Sequence, residues 1–296
     1  MTDAVAIDGI WRAHHRVAIV VAYRLLGSLA EAEDAVQEAF ARLARERVDE
    51  IADPRGWLVV VVSRICLDQL GSARARRETY VGPWLPEPLV AVAGAGEDPA
   101  ERVTLDESVR MALLVVLEQL TPPERVAFVL HDVFRLSFEE IGKVVGRTAA
   151  ACRQLASRAR RRIQADEAAR FEVDPAGEAA VAERFLAALR DGDIPAITAA
   201  LDPDVVMRAD SGGLVQAPRR PVSGRDTIVK IVLNGFRRFP GLEVSEARVN
   251  GGPGLLVRDG EGTAVALVAL AVGDGAVRAI DLIGNPEKLE RALRRP

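Results

Sequence analysis

The chain has 296 residues, 49% of them hydrophobic and 28% charged, with a formal net charge of −4. That is long enough for two or three domains with packed cores. Asp3 and Asp8 interrupt the N-terminus where a secretion signal would need an apolar run, and the longest apolar stretch, 57–62, is far too short to cross a bilayer. Three histidines (His14, His15, His131) and two cysteines (Cys66, Cys152) are scattered apart, so no metal site is expected. Both cysteines fall in predicted helices and read as buried and reduced, which places the chain in the cytoplasm. The charge is uneven: residues 147–162 hold six arginines and no acid, whereas 97–118 are acid-rich. A slightly acidic chain can still bind DNA when its positive charge is focused on one surface.

In chain order, 11–47 reads as helical, with apolar residues at helical spacing through Val17, Val20, Val21, Leu25 and Leu26 and a break at Gly27-Ser28. Ser28 is placed to cap a second helix, with Glu31 three residues on, whose apolar face carries Ala35, Val36, Ala39, Phe40 and Leu43. Asp53-Pro54 opens a third helix to about residue 75, although its valine run is β-prone. Residues 79–105 read as a linker, because Gly82-Pro83-Trp84-Leu85-Pro86-Glu87-Pro88 and Ala93-Gly94-Ala95-Gly96 cannot form a regular element. A flexible spacer has no use for a tryptophan, so Trp84 is expected to dock. Helices resume over about 100–119, and Thr121-Pro122-Pro123-Glu124 starts another. After Asp174-Pro175 one helix over 178–190 is followed by short apolar runs at 205–209, 242–249, 255–258, 263–272 and 276–283, separated by glycine-rich turns. The fold class is therefore all-α over the first 170 residues and α+β in the remainder.

The densest chemical signal lies at 137–162. Ser137 caps a helix with Glu140 completing a capping box, Gly146 makes a turn, and Thr148 caps a second helix that carries Arg153, Arg158, Arg160, Arg161 and Arg162. This is the pattern of a helix-turn-helix, with Ile141, Val144, Val145 and Leu155 as the packed corner and Cys152 in its core. Arg153, Gln154, Ser157 and Arg158 lie toward the exposed face, where long donors reach base edges, and later arginines such as Arg160 suit phosphates.

The segments 120–125, 128–130, Phe138-Glu139-Glu140-Ile141-Gly142, Gly146 and Ser157-Arg158-Ala159-Arg160 together resemble region 4 of bacterial extracytoplasmic-function sigma factors. Residues 29–40, with Arg55-Gly56-Trp57-Leu58 and Asp68, resemble region 2 of the same family. The resemblance implies region 2 at about 8–78 and region 4 at about 106–165. It implies that Asp34, Gln37 and Glu38 dock on the arginine-rich clamp helices of the largest subunit of core RNA polymerase. It also implies that Arg64, Asp68, Arg74, Arg76 and Arg77 lie in the reader of the opened −10 strand. Ser63-Arg64 stands where many relatives carry Arg-Asn, so the usual base-pocket asparagine is absent.

Trp84-Leu85-Pro86-Glu87-Pro88 and Asn285-Pro286-Glu287-Lys288-Leu289 resemble paired motifs of sigma-J-type members, which carry an additional SnoaL-like domain of the NTF2-like cone fold, here 175–289. The resemblance implies that this extension regulates the sigma part from within the chain. Contact among Trp84, Leu85, Pro86, Asn285, Pro286, Lys288 and Leu289 is the expected means. The loop Asp210-Ser211-Gly212-Gly213-Leu214 lacks the lysine of the corresponding signature. Residues 171–296 contain no His, Cys, Tyr or Trp, so no catalytic residue and no cofactor is expected, and Arg208 and Asp281 read as a structural ion pair. Two rival readings are a ligand-responsive helix-turn-helix regulator and an enzyme fused to a DNA-binding module. The 30–45 helix argues against the first, and the missing acid–base partner against the second.

Overall fold

The computed structural model describes residues 2–91, 110–165 and 175–294. The glycine-rich 93–96, the first part of the helix expected over 100–119, and the break at Asp174 lie outside the described residues. The chain divides into two units, one formed by Met1–Thr79 with Leu117–Ala165, the other by Tyr80–Val116 with Asp166–Pro296. The segment expected to be a linker thus belongs, in its described parts, to the same unit as the α+β domain. Among the described residues no helix is long and apolar enough to cross a membrane, and no cluster of three His, Cys, Asp or Glu side chains is placed to hold a metal ion.

The first unit is all-α. Helix α1 (Thr2–Leu26) ends at Gly27, and α2 (Leu29–Leu43) begins where the Glu31 amide donates to Ser28 Oγ at 3.3 Å. The buried face of α2 is Ala32, Ala35, Val36, Ala39, Phe40 and Leu43, one stripe at helical spacing. Helix α3 (Pro54–Glu78) is helical throughout its valine run, starting where Asp53 accepts the Gly56 amide at 3.0 Å. Burial of Leu58, Val59, Val62, Ile65, Cys66 and Leu70 follows the 3.6-residue period, so packing against α1 and α2 overrides local β propensity. Helix α4 (Met111–Leu117), which belongs to the second unit up to Val116, precedes α5 (Pro122–Phe128) of the first, at whose start Glu124 accepts from the Thr121 amide at 3.1 Å and hydroxyl at 2.8 Å. A π-helical turn (Val129–Val133) continues directly from α5, and Arg135, at φ 61°, lies just beyond it.

The helix-turn-helix consists of α6 (Phe138–Val145) and α7 (Ala149–Ala165). Ser137 and Glu140 form the capping box, with the Ser137 amide 2.8 Å and hydroxyl 2.6 Å from Glu140 Oε2. Gly146 ends α6 at φ 68°, ψ 36°, a left-handed position that glycine adopts without Cβ strain. Thr148 caps α7 by accepting the Ala151 amide at 3.2 Å. Ile141, Val144, Cys152, Leu155, Ala156, Ala159 and Ile163 are buried and form the corner.

The second unit is built on one mixed sheet, ordered β1-β4-β5-β6-β7-β2-β3. Its strands are β1 (Val90–Ala91), β2 (Leu201–Asp210), β3 (Val222–Ser223), β4 (Glu243–Val249), β5 (Gly252–Arg258), β6 (Ala264–Gly273) and β7 (Ala276–Ile283). All pairs are antiparallel except β2 with β7, where Arg208 pairs with Asp281 in register. Asn250-Gly251 and Asp274-Gly275, all at positive φ, turn β4 into β5 and β6 into β7, the signature of two-residue primed hairpins. Side-chain alternation gives the sheet two apolar faces. Leu255, Val268, Leu270 and Ile280 pack with α8 (Pro175–Asp191), α9 (Ile194–Ala200) and α10 (Arg225–Arg238). Leu256, Leu267, Ala269 and Ile283 pack with Leu85, Met111 and Val115 and with Leu289 of α11 (Pro286–Leu293). Helices α9, α10 and α11 have no counterpart in the elements expected from sequence.

Candidate functional site

The expected DNA-facing helix, α7, has one buried and one open side. Its buried stripe fixes its rotation and leaves Arg153, Gln154, Ser157 and Arg158 exposed. The arginines differ in what holds them. Arg158 Nε lies 3.0 Å from Glu124 Oε1, Arg162 Nη1 lies 3.3 Å from Glu124 Oε2, and Arg160 Nε lies 2.7 Å from Asp132. Each spends part of its guanidinium on a carboxylate of its own module. Arg153 instead lies over the Phe138 ring, 5.1 Å from its centroid. Burial works against ionisation of Glu124, but the hydrogen bonds from Thr121 and Arg158 outweigh it and hold its carboxyl below the usual range.

On α2, Asp34, Gln37 and Glu38 are exposed, opposite the buried stripe. Glu38 also pairs with Arg42 at 2.5 Å. On α3, Arg64 and Asp68 are exposed, and Arg64 Nη2 donates to the Lys143 carbonyl of α6 at 2.9 Å. The backbone at Arg74 and Arg76 is helical, and their side chains lie outside the described residues. Arg77 departs from the expectation that it faces DNA. Its side chain is 16% exposed, it pairs with Glu118, and it donates to the Leu26 carbonyl at 2.5 Å. Glu118 in turn pairs with Arg125 at 2.5 Å. Arg77 is thereby an internal tie between the two helical modules, and its guanidinium is not presented to solvent.

The second unit holds a buried polar cluster around Asp210, the last residue of β2, whose exposure is 0%. One carboxylate oxygen accepts from the Tyr80 hydroxyl at 2.5 Å, and the other from the Leu85 amide at 2.9 Å and Lys288 Nζ at 2.7 Å. Lys288 also donates to the Leu85 carbonyl and sits 4.1 Å from the Trp84 ring centroid. Asn285 Nδ2 donates to the Tyr80 hydroxyl at 2.8 Å, while the Gly284 and Asn285 amides bond the Asp210 carbonyl. Asn285 caps α11 by accepting the Glu287 amide, with Pro286 at the first helical position. Gly212 has φ 61°, and a Cβ there would stand 2.8 Å from Asn285 Nδ2, so glycine permits the loop to close over the cluster. Burial, and then the bond to the Asp210 carboxylate, raise the Tyr80 hydroxyl well above the ordinary tyrosine range.

The structure therefore brings Trp84, Leu85, Asn285 and Lys288 into one cluster. Pro86 is buried beside them and Leu289 packs with Leu85 in the same apolar face, while Pro286 is exposed. Sequence reasoning missed Tyr80, the Arg291–Glu87 pair at 2.8 Å, and Asn250, which fastens Leu89 through a 3.0 Å bond to its amide. Only topology brings these residues together. Tyr80 also supplies the hydroxyl partner that 171–296 lacks. Asp210 nonetheless has both oxygens engaged, so the arrangement holds a segment in place. Arg208 and Asp281 form the expected ion pair, at 2.6 Å.

Two sequence families match the helical modules. Sigma-70 region 2 matches residues 10–76, and Sigma-70, region 4 matches residues 110–163. A capped helix-turn-helix following a region 2 bundle defines a sigma-70-type initiation factor. The chain is 45% identical over 278 residues to the ECF RNA polymerase sigma factor SigJ of Mycobacterium tuberculosis, covering 90% of this chain and 88% of that one. It is 38% identical over 290 residues to the probable ECF RNA polymerase sigma factor SigI of the same species, covering 96% and 95%. The crystal structure of Mycobacterium tuberculosis SigJ superposes with a TM-score of 0.79 at 39% identity, covering 96% of this chain and 99% of that one. The chain belongs to the extracytoplasmic-function (ECF) RNA polymerase sigma factors, and the part that follows its helical modules is α+β, as expected from sequence.

Proposed function

We propose a division of labour by which this sigma factor directs promoter-specific transcription initiation. Core RNA polymerase supplies the chemistry and the chain supplies promoter choice, acting in the cytoplasm. Asp34, Gln37 and Glu38 dock on the arginine-rich clamp helices through charge-assisted hydrogen bonds. The exposed side of α3 around Arg64 and Asp68 faces the opened −10 strand, with Arg74 and Arg76 further along the same helix. Helix α7 enters the major groove of the −35 duplex, with Arg153, Gln154 and Ser157 toward base edges and the carboxylate-tethered Arg158 and Arg160 toward phosphates. The SnoaL-like domain regulates in cis, through the 80–91 segment that it holds.

The observation that carries this reading is the exposed acidic side of α2 in the same unit as a fully capped helix-turn-helix. An operator-binding regulator needs only the second. The test is co-purification with core RNA polymerase and run-off transcription from a selected promoter. The expected result is capture and initiation by the native chain, and loss of both for Asp34→Arg plus Glu38→Arg with folding retained. Tight duplex binding with no polymerase capture by the native chain would instead identify an ordinary operator reader.

A further inference from the structure

The helix-turn-helix contains a stack of three side chains from three elements. His131 sits in the π-helical turn (Val129–Val133) that separates α5 from α6, a distortion often found at functional positions. Its Nδ1 lies 2.9 Å from the Leu136 carbonyl. A carbonyl can only accept, so Nδ1 carries a proton and the ring plane is fixed. The imidazole stacks on Phe138, the first residue of α6, with centroids 4.0 Å apart and planes 27° from parallel. Arg153, one turn into α7, lies over the same phenyl ring at 5.1 Å. His131 and Phe138 are half-buried and Arg153 is exposed, so the stack ends at the open surface of α7.

Arg153 is held differently from its neighbours. Arg158, Arg160 and Arg162 are each held by Glu124 or Asp132. Among the described residues no carboxylate pairs with Arg153. A carboxylate would occupy guanidinium N–H groups and cancel the charge. An aromatic face fixes the plane while leaving all five donors directed outward. A long side chain that must place two donors on one base edge gains most from losing its rotamer freedom before binding.

We propose that Phe138, itself fixed by His131, is a positioning residue that holds the Arg153 guanidinium ready for a two-donor contact with one guanine of the −35 duplex, so that base discrimination at that position depends on a ring that touches no DNA. The inference rests on the reading of α7 as the −35 reader.

The experiment is selection of −35 sequences from a randomised duplex library by holoenzyme assembled from core polymerase and the full chain. The native chain, Arg153→Ala, Phe138→Leu, Phe138→Tyr and Phe138→Leu/Arg153→Ala are compared column by column. The native chain is expected to fix guanine in one column, and Arg153→Ala to relax that column. Phe138→Leu, which still fills the corner but lacks a π face, relaxes the same column by about two- to fivefold, the size of an exposed cation–π contact. Phe138→Tyr restores it, and the double variant is no more relaxed there than Arg153→Ala alone. A merely structural role for Phe138 would weaken all columns together or none, and either result overturns the proposal. So does a loss that adds to that of Arg153→Ala. If Arg153→Ala relaxes no column, the proposal falls together with the base-reading role of Arg153. If Arg153→Ala relaxes a column that Phe138→Leu leaves unchanged, only the positioning role falls.

Discussion

Lys288 is 6% exposed and is the counter-charge for a carboxylate that has no access to water. Removing one member of a buried pair strands the other, which costs about 3–5 kcal/mol, more than the pair itself contributes. Lys288→Met is therefore expected to lower the urea-derived stability of the second unit by about 3 kcal/mol. Lys288→Met combined with Asp210→Asn is expected to recover part of the loss, since no charge is then left buried. A single variant as stable as the native chain would contradict the buried-pair account. Tyr80 gives the same cluster an alkaline limit. Its folded form keeps the hydroxyl neutral, so the stabilisation is complete below the ordinary tyrosine value of about 10 and is lost as pH rises through the raised one. Tyr80 had no legible role in the sequence, because its partner Asp210 is 130 positions away and no local periodicity connects them. Asp210 and Lys288 stood out only inside motifs, whereas their joint burial depends on the β2–β7 pairing.

The capped elements were the most legible, because a cap is a local event written within four residues. Ser28, Asp53, Thr121, Ser137 and Thr148 all start helices where the sequence places them. Helix α10 shows the opposite case. Its run Thr227-Ile228-Val229 and Ile231-Val232 is β-branched, and Gly224 at its start has no side chain to cap it, so local propensity points away from a helix. Burial of Ile228 and Val229 against the sheet makes it one. The capping boxes of α5 and α6 also set an acid limit. Hydrogen bonds from the Ser137 side chain and amide hold Glu140 below the ordinary carboxylate value, and those from Thr121 and Arg158 overcome burial to do so at Glu124. Both contributions are present above about pH 4.5 and fade as pH falls through the depressed values. Ser137→Ala is expected to cost about 1 kcal/mol at neutral pH and to flatten the decline in stability on acidification. Thermal melts from pH 7 to pH 3 measure both. A decline as steep as that of the native chain would remove Glu140 from the account.

At the scale of the whole molecule, the tie made by Arg77, Glu118 and Arg125 and the bond from Arg64 to Lys143 fasten the region 2 bundle to the helix-turn-helix. The cluster at Asp210 fastens the chain that leaves α3. On the proposed reading the two modules separate to span −10 and −35 together, which makes the contacts that hold them candidates for control. A coupling of about 1–3 kcal/mol changes activity about 5–150-fold. Truncation after Asp174, and separately after Ile283, is expected to shift run-off transcription within that range, both in the same direction. Both truncations leave region 2 and region 4 intact in sequence. Unchanged transcription in both would leave the third domain without a role in cis.

Leu85 and Lys288 are 203 positions apart, and β1 pairs with β4, made more than a hundred residues later. On the ribosome, at about 5–20 residues per second, the helical modules, complete at Ala165, emerge about 6–25 seconds before the lysine that fastens the intervening segment. Every newly made copy therefore passes through an interval in which both helical modules are finished and the lysine that fastens the 80–91 segment is not yet made. Translation speed across the last third of the message thus sets how long that interval lasts for each nascent copy.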